Sequence, residues 1–392
     1  MQLTTISQQI VLKTVPRCIK ERITVEKITK IAMIGVGAIS GIYLKNITET
    51  FKQIKLIGVC DLVRERAEKA QEEYNVPKLY ETMHDAFADP DVDIVLNLTR
   101  PYEHFEVTKA ALEAGKHVYS EKPLGASWEE GLQLANLAKE KGLHIGGAPD
   151  TFLGAGIQTC RKLIDDGFIG APIGAAAFMI GHGHETWHPD PEFYYKYGGG
   201  PMLDMGPYYI TALVNLLGRV QGLTGVTKTS FPKRIITSEP KHGNIIDVDV
   251  PTYVTGILDF ENGATGTIFT TFDVYYKSQS RIEIYGSKGT LIVPDPNTFG
   301  GPIRLLRPED GEYRDMPLLF DYAENSRALG LADMAQALAC GRDSRADVQQ
   351  TLHVLEILTG FERSSQNKAY LPITSPYERG IPMENMPMHG YL

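Results

Sequence analysis

The stretch "IAMIGVGAISGIYL", from Ile31 to Leu44, limits the fold more than any other segment of this 392-residue chain. An apolar run leads into Gly35 and Gly37, and a helix-compatible segment leads out. A tight corner between a buried strand and a helix needs residues that tolerate positive φ and close backbone approach, which glycine supplies. The spacing Gly35-Val36-Gly37-Ala38-Ile39-Ser40 departs from G-x-G-x-x-G only at its last position, where Ser40, followed by Gly41, stands for the third glycine.

The same rhythm continues to about residue 150. "IKLIGVC", "VDIVLNL", "KHVYSE" and "LHIGGA" read as strands. Between them, "RERAEKAQEEY", "HFEVTKAALEAG" and "SWEEGLQLANLAKEKG" carry apolar residues at helical spacing. Such alternation predicts βαβ units and a parallel, doubly wound sheet. In that context the glycine turn implies a dinucleotide, with the turn and the helix N-terminus cradling its pyrophosphate. The cofactor-binding residues expected there are Gly35, Gly37, Ala38 and Ile39. Asp61 ends the second predicted strand, 61 − 41 = 20 residues past Gly41. A carboxylate there accepts hydrogen bonds from the ribose hydroxyls and repels a 2′-phosphate, so NAD is expected over NADP, with Arg64 and Arg66 tempering the preference.

After residue 150 the pattern changes. "GAGIQTCRKLIDDG" reads as a helix and "IGAAAFMI" as a strand. "TYVTGILDF", "ATGTIFTTFDV", "SRIEIYG" and "GTLIVP" then form an antiparallel meander. "ALGLADMAQALACG" and "DVQQTLHVLEILTGFERSSQ" predict two late helices. Residues 1–29 read as an extension and 373–392 as a surface-hugging tail. The division expected is 30–150 for the nucleotide domain and 151–372 for a second domain.

The balance of 39 basic against 48 acidic side chains gives a formal charge of −9, with no basic footprint for nucleic acid and no polybasic patch for a membrane. No apolar run approaches the roughly 20 residues that a spanning helix needs. Cys18, Cys60, Cys160 and Cys340 are scattered and form no C-x-x-C pair. A disulfide framework and a structural zinc are therefore not expected, and a reducing, cytoplasmic setting is. Partners are small molecules or further copies of the chain.

Three segments carry candidate chemistry. In "YSEKPLG", Glu121 and Lys122 stand at the carboxyl end of the predicted fifth strand, where ligands of open α/β sheets bind. Pro123 fixes the backbone behind the lysine; a solvated charge pair is the alternative. In "GGGPMLDMGPYYITALVNLLG", Asp204 and Tyr208 are four apart and would share one helical face. In "GHGHETWHPDPEFYY", His182, His184 and His188 suggest either a metal or a polar substrate loop with Trp187 stacking on a sugar. No further ligand stands at metal-type spacing, so no metal is expected. Tyr194, Tyr195 and Tyr197 either line the pocket or pack, and Asp150 with Thr151 either face the cleft or form a hinge.

"KIAMIGVGAISG", "NLTRPYEHFEVTKAALEAGKHVYSEKPLG" and "GGGPMLDMGPYY" together resemble the glucose–fructose oxidoreductase/inositol dehydrogenase/rhizopine-catabolism family, from about Lys30 to Ile373. The resemblance implies an N-terminal NAD-binding Rossmann domain and a C-terminal α+β domain with a large, mostly antiparallel open sheet. It also implies a homodimer or homotetramer, and hydride transfer between nicotinamide and a secondary hydroxyl of a sugar, cyclitol or glycoside. By position, Lys122 matches the lysine that touches substrate and nicotinamide ribose. Glu121 matches a residue orienting the nicotinamide, and Thr99 and His104 the segment lining the cofactor. Asp204 matches the aspartate of a D-x-x-x-H motif whose histidine is replaced here by Tyr208.

An unperturbed phenol is a poor base near neutral pH. Either Lys122 lowers the tyrosine's pKa or acts as base, or His184 or His188 supplies the imidazole, or Tyr208 only binds the sugar. Redox-assisted glycoside cleavage with regenerated NAD, and a catalytically silent NAD-binding sensor, are the alternative functions.

Overall fold

Strands covered on both faces need near-continuous apolar runs, and the first half of the chain supplies them. The computed structural model describes residues 28–275, 281–384 and 389–390. In it β1 (Thr29–Ile34), β2 (Ile54–Cys60), β3 (Lys78–Leu79), β4 (Ile94–Asn97), β5 (His117–Ser120) and β6 (Ile145–Gly147) form one parallel sheet ordered β3-β2-β1-β4-β5-β6. The connecting helices are α1 (Ser40–Lys45), α2 (Arg64–Tyr74), α3 (Met83–Ala88), α4 (His104–Glu113) and α5 (Trp128–Lys141). The strand order reverses between β1 and β4, which places the ligand crevice at their carboxyl ends, beside Gly35 and Thr99.

The second half is built on α6 (Ala155–Asp165), β7 (Pro172–Ile180), α7 (Gly200–Asp204) and α8 (Gly206–Leu217). Next come β8 (Val220–Lys228) and a small ribbon of β9 (Lys233–Ile235) and β10 (Ile245–Asp247). Then follow β11 (Tyr253–Phe260), β12 (Thr265–Thr271), β13 (Ile282–Gly286), β14 (Gly289–Val293), β15 (Ile303–Leu306) and β16 (Arg314–Met316). With β17 (Leu371–Pro372) they complete a nine-stranded sheet, antiparallel except where β7 runs parallel to β12. The two-residue period assigns its faces. Leu223, Leu258, Ile268, Ala177 and Ile284 are fully buried on the face that the late helix Val348–Asn367 covers at β8 and β11, while Val226, Ile257 and Tyr285 point outward.

The last two helices, α9 (Leu329–Cys340) and α10 (Val348–Asn367), join the halves. Leu355 of α10 fits so closely over Gly131 of α5 that a Cβ there would lie 2.4 Å away; Phe361, further along, lies as closely over Gly256 of β11. The late part of 151–372 thus covers the first sheet as well as the second. Residues 373–384 are more integrated than a surface tail, since Ile373, Tyr377 and Met383 are buried. The extension expected over 1–29 lies almost wholly outside the described residues.

Among the described residues no helix is long and apolar enough to cross a membrane. Cys60 and Cys160 are free and buried.

One buried carboxylate anchors α9. Asp333 is fully enclosed and binds the guanidinium groups of Arg342, at 2.6 Å, and Arg345, whose backbone N–H also donates to it at 2.7 Å. Removing one partner of such a cluster leaves unpaired buried charge. Asp333→Ala should therefore lower unfolding free energy by about 3–5 kcal/mol in a denaturant titration.

Candidate active site

The glycine turn is shaped by two separate demands. Gly35 has φ +95°, and a Cβ there would meet the Leu98 carbonyl at 2.7 Å, so backbone strain and the end of β4 both require glycine. At Gly37 a Cβ would meet nothing within 4 Å, so its lack of a side chain serves the open crevice and not the protein's own packing. Among the described residues the N–H groups of Gly37, Ala38 and Ile39 have no backbone acceptor. Ser40, in the third-glycine position, turns its hydroxyl back to the Gly37 carbonyl at 2.7 Å and starts α1. Asp61 accepts the Val36 N–H at 2.6 Å and the Val63 N–H at 2.7 Å, which fixes its carboxylate at the crevice rim. Arg64 is engaged by Glu68 and Glu81. These residues fit an NAD: open amides for the pyrophosphate, and a fixed carboxylate for the ribose.

Past β5, the buried Glu121 accepts from the Tyr43 hydroxyl at 2.8 Å and from the Lys122 N–H at 2.9 Å. Lys122 Nζ then reaches across to α7, donating to the Asp204 carbonyl at 2.6 Å and to Oδ1 at 2.8 Å. Burial disfavours the ammonium, but Asp204, Tyr208 and Glu121 outweigh it and hold the Lys122 pKa above its ordinary value. Burial likewise opposes the Asp204 carboxylate, yet Lys122 and His184 keep it well below the usual carboxylate range. The direction of both shifts favours the ammonium form of Lys122 and runs against the alternative in which burial makes it a neutral base.

The helix carrying Asp204 and Tyr208 is not continuous. Met205 separates α7 from α8, with Gly206 and Pro207 opening the second, so the two side chains do not share a regular helical face. The site still brings them together: Lys122 Nζ lies 5.3 Å from the Tyr208 ring centre. Burial raises the Tyr208 pKa, and Lys122 and Arg327 pull it back only in part. The phenol therefore stays protonated beyond its usual range: Lys122 does lower it, as expected, but by less than burial raises it.

Of the three histidines, His184 reaches the site, with Nε2 3.4 Å from Asp204 Oδ2 and its ring stacked on Tyr194 at 3.8 Å. His188 instead accepts the Asp190 N–H at Nδ1 and packs edge-on to Tyr194, with no contact to Asp204. His182 stacks on Tyr275 at 3.6 Å, and no metal-type cluster occurs among the described residues. Trp187 is 62% exposed beside His184. Tyr194 joins this wall, whereas Tyr195 is buried against Glu185 and Tyr197 binds Glu130 at 3.0 Å.

His104 does not line the crevice. Its enclosed ring faces the Pro123 carbonyl at 2.7 Å and the Thr99 carbonyl at 3.0 Å, clasping the two loops that flank the site. Thr99 itself, at the end of β4, donates its hydroxyl to Asn97 at 2.6 Å. Asp150 is also enclosed and accepts the Gly330 N–H at 3.0 Å, so it and the equally buried Thr151 are tied into the packing against α9.

Arg327 escaped the sequence reading altogether. It precedes α9, is buried, and donates to Asn325 Oδ1 at 2.8 Å and to Asn297 Oδ1 at 2.6 Å. Asn46, at the end of α1, clasps the Arg327 carbonyl at 2.7 Å. The next residue, Ala328, has φ +82°, a strain of order 1–3 kcal/mol that persists only where the surroundings enforce it. No local signal marks this arginine, because Asn46 and Asn297 reach it only in the folded chain.

The two glycines should separate in experiment. Gly37→Val should fold with an unchanged unfolding temperature and lose NADH binding in a fluorescence titration. Gly35→Ala should lose both binding and thermal stability.

Residues 29–146 match the oxidoreductase family with an NAD-binding Rossmann fold, and residues 157–292 match the GFO/IDH/MocA C-terminal domain. The chain is 27% identical over 263 residues to scyllo-inositol 2-dehydrogenase (NAD(+)) of Bacillus subtilis (strain 168), covering 67% of this chain and 72% of that protein. It is 32% identical over 154 residues to inositol 2-dehydrogenase/D-chiro-inositol 3-dehydrogenase of Lactiplantibacillus plantarum, a match that spans 37% of this chain and 42% of that relative's length. In fold it is similar to levoglucosan dehydrogenase solved with NADH and L-sorbose, with TM-score 0.77, 19% identity, and 88% and 99% of the two chains covered. Matched in both domains, the chain belongs to the GFO/IDH/MocA family of oxidoreductases with an NAD-binding Rossmann fold.

Proposed function

We propose that this protein is an NAD-dependent dehydrogenase acting on a secondary hydroxyl of a sugar, cyclitol or glycoside. One observation carries the reading: the Lys122 ammonium, held by Asp204 at the carboxyl end of the parallel sheet, lies next to the Tyr208 ring. The relatives named for inositol and levoglucosan support the substrate class.

Two Lys122 N–H groups are committed to Asp204, which leaves the third for the substrate's carbinol oxygen. That donor stabilises alkoxide character at the oxygen as its proton leaves. The Tyr208 hydroxyl oxygen holds or accepts that proton. Asp204 keeps the lysine charged, and His184 steadies the second carboxylate oxygen. Trp187 offers an exposed ring face to the apolar side of a sugar. When bound, the nicotinamide supplies the hydride acceptor or donor. The same reading carries a cytoplasmic setting and a homodimer or homotetramer, and the outward Val226, Ile257 and Tyr285 support the assembly.

A phenol whose pKa is raised is protonated over a wider pH range, so the resting site suits carbonyl reduction and must lose a proton before it oxidises. Oxidation should therefore speed up with rising pH while reduction slows. Wild type, Lys122→Ala and Tyr208→Phe should be assayed with NAD and scyllo-inositol, myo-inositol, xylose, levoglucosan and a set of glycosides, following NADH and product mass. Lys122→Ala should lower kcat by about 10²–10⁴-fold, and Tyr208→Phe should abolish the alkaline rise. Aglycone release without net NADH would instead indicate redox-assisted cleavage. Bound NAD with no turnover would indicate a sensor.

A further inference from the structure

We propose that Glu185 is a positioning residue: with Arg234 and Tyr195 it fixes the loop that presents His184 and Trp187 to the sugar. The inference rests on the reading of that wall as the substrate side of a dehydrogenase. Its basis is one buried cluster behind the wall. Glu185 lies in the loop after β7, between His184 and the exposed Trp187, yet it is buried. Its Oε2 accepts from the Tyr195 hydroxyl, and Oε1 accepts from Arg234 Nη1 at 2.8 Å. The Tyr195 oxygen in turn accepts the His184 N–H at 3.3 Å. The Glu185 carbonyl takes the Thr237 N–H at 2.8 Å and the Ser238 N–H at 3.0 Å. One residue thus secures the loop through both its side chain and its backbone.

Arg234 reaches the same loop from β9. Its guanidinium is bound by Glu185 and Asp273, and it also donates to the His182 carbonyl at 3.3 Å and the Phe272 carbonyl at 2.7 Å. Phe272 is the ring on which His184 rests edge-on, with 4.7 Å between centres. The planar fork of an arginine fixes such acceptors in direction as well as distance. Tyr195, Ile236, Ile246 and Phe272 form a small core of their own that packs around this cluster. Packing alone would hold the loop without aiming it. A buried ion pair is weak evidence of stability, and specifying one arrangement is the use that fits here. Gly183 belongs to the same design. Its φ is +94°, and a Cβ there would overlap the Tyr195 hydroxyl and the Glu185 carboxylate, so only glycine lets the chain wrap the cluster between His182 and His184. The outcome is His184 Nε2 held 3.4 Å from Asp204 Oδ2, with the Trp187 ring 5.3 Å from the imidazole. The ribbon of β9 and β10, which lies outside the nine-stranded sheet, backs the substrate wall.

Trp128 and Trp187 are the only tryptophans, so in Trp128→Phe protein the loop carries its own reporter. Time-resolved fluorescence anisotropy, read without cofactor or substrate, should show Trp187 tumbling with the whole molecule. Glu185→Gln should add a nanosecond component, as should the milder Tyr195→Phe, which keeps the buried ring and the Arg234 pair. With a sugar that the wild type turns over, Glu185→Gln should raise KM at least about tenfold and leave the NADH dissociation constant unchanged. In a background carrying His184→Ala and Trp187→Ala, the same substitution should raise KM less than about threefold, because the groups it acts through are gone. A Trp187 decay or a KM that stays put in both folded variants overturns the proposal, as does a KM effect that persists in full without the two wall side chains. Absence of turnover by the wild type, with Trp187 loosened in both variants, would retain the anchoring and refute the dehydrogenase reading.

Discussion

The ion pair between Lys122 and Asp204 is the interaction on which the rest of the site depends. It joins the edge of the parallel sheet to the short α7 of the second domain, and both charges are largely buried. A pair in that position is stable only if each partner's remaining hydrogen-bonding capacity is met. The surroundings meet it. The Asp204 carbonyl takes a second Lys122 proton, His184 stands against the other carboxylate oxygen, and Glu121 holds the lysine's own N–H. The break at Met205 then has a purpose: it lets Asp204 and the Tyr208 ring approach one ammonium from two different helices.

Substituting a phenol for an imidazole changes what the environment must do. An imidazole titrates near neutrality without help, whereas a phenol in a buried site moves further from neutrality. The Lys122 ammonium, 5.3 Å from the Tyr208 ring centre, counters that in part. Lys122 is paired with Asp204 and, in the proposed reaction, serves the carbinol oxygen. Asp150 shows the opposite effect in the same region, because enclosure lifts its carboxyl to about 6 despite the Gly330 N–H.

Much of this was legible in sequence because the signals are local. Apolar runs alternating with amphipathic helices specify a parallel sheet, and the order β3-β2-β1-β4-β5-β6 follows. Gly35, Gly37, Asp61, Lys122 and Asp204 could each be picked out by neighbours within a few residues. What local pattern cannot report is which way a side chain turns. His104 looked like a crevice residue and is a buried clasp; His188 looked equivalent to His184 and misses Asp204. Lys122 looked ready to lose its proton, but its charge depends on an aspartate 82 positions away. Arg327 was invisible for the same reason, since Asn46 and Asn297 meet it only in the folded chain.

The protonation state of Lys122 tests the central claim most directly. In protein labelled with nitrogen-15 lysine, with Lys122→Arg to assign the signal, the Lys122 Nζ resonance should show an ammonium throughout the neutral range and up to at least about pH 10. Deprotonation near neutral pH would contradict this picture, because the lysine would then be the base and Tyr208 a bystander.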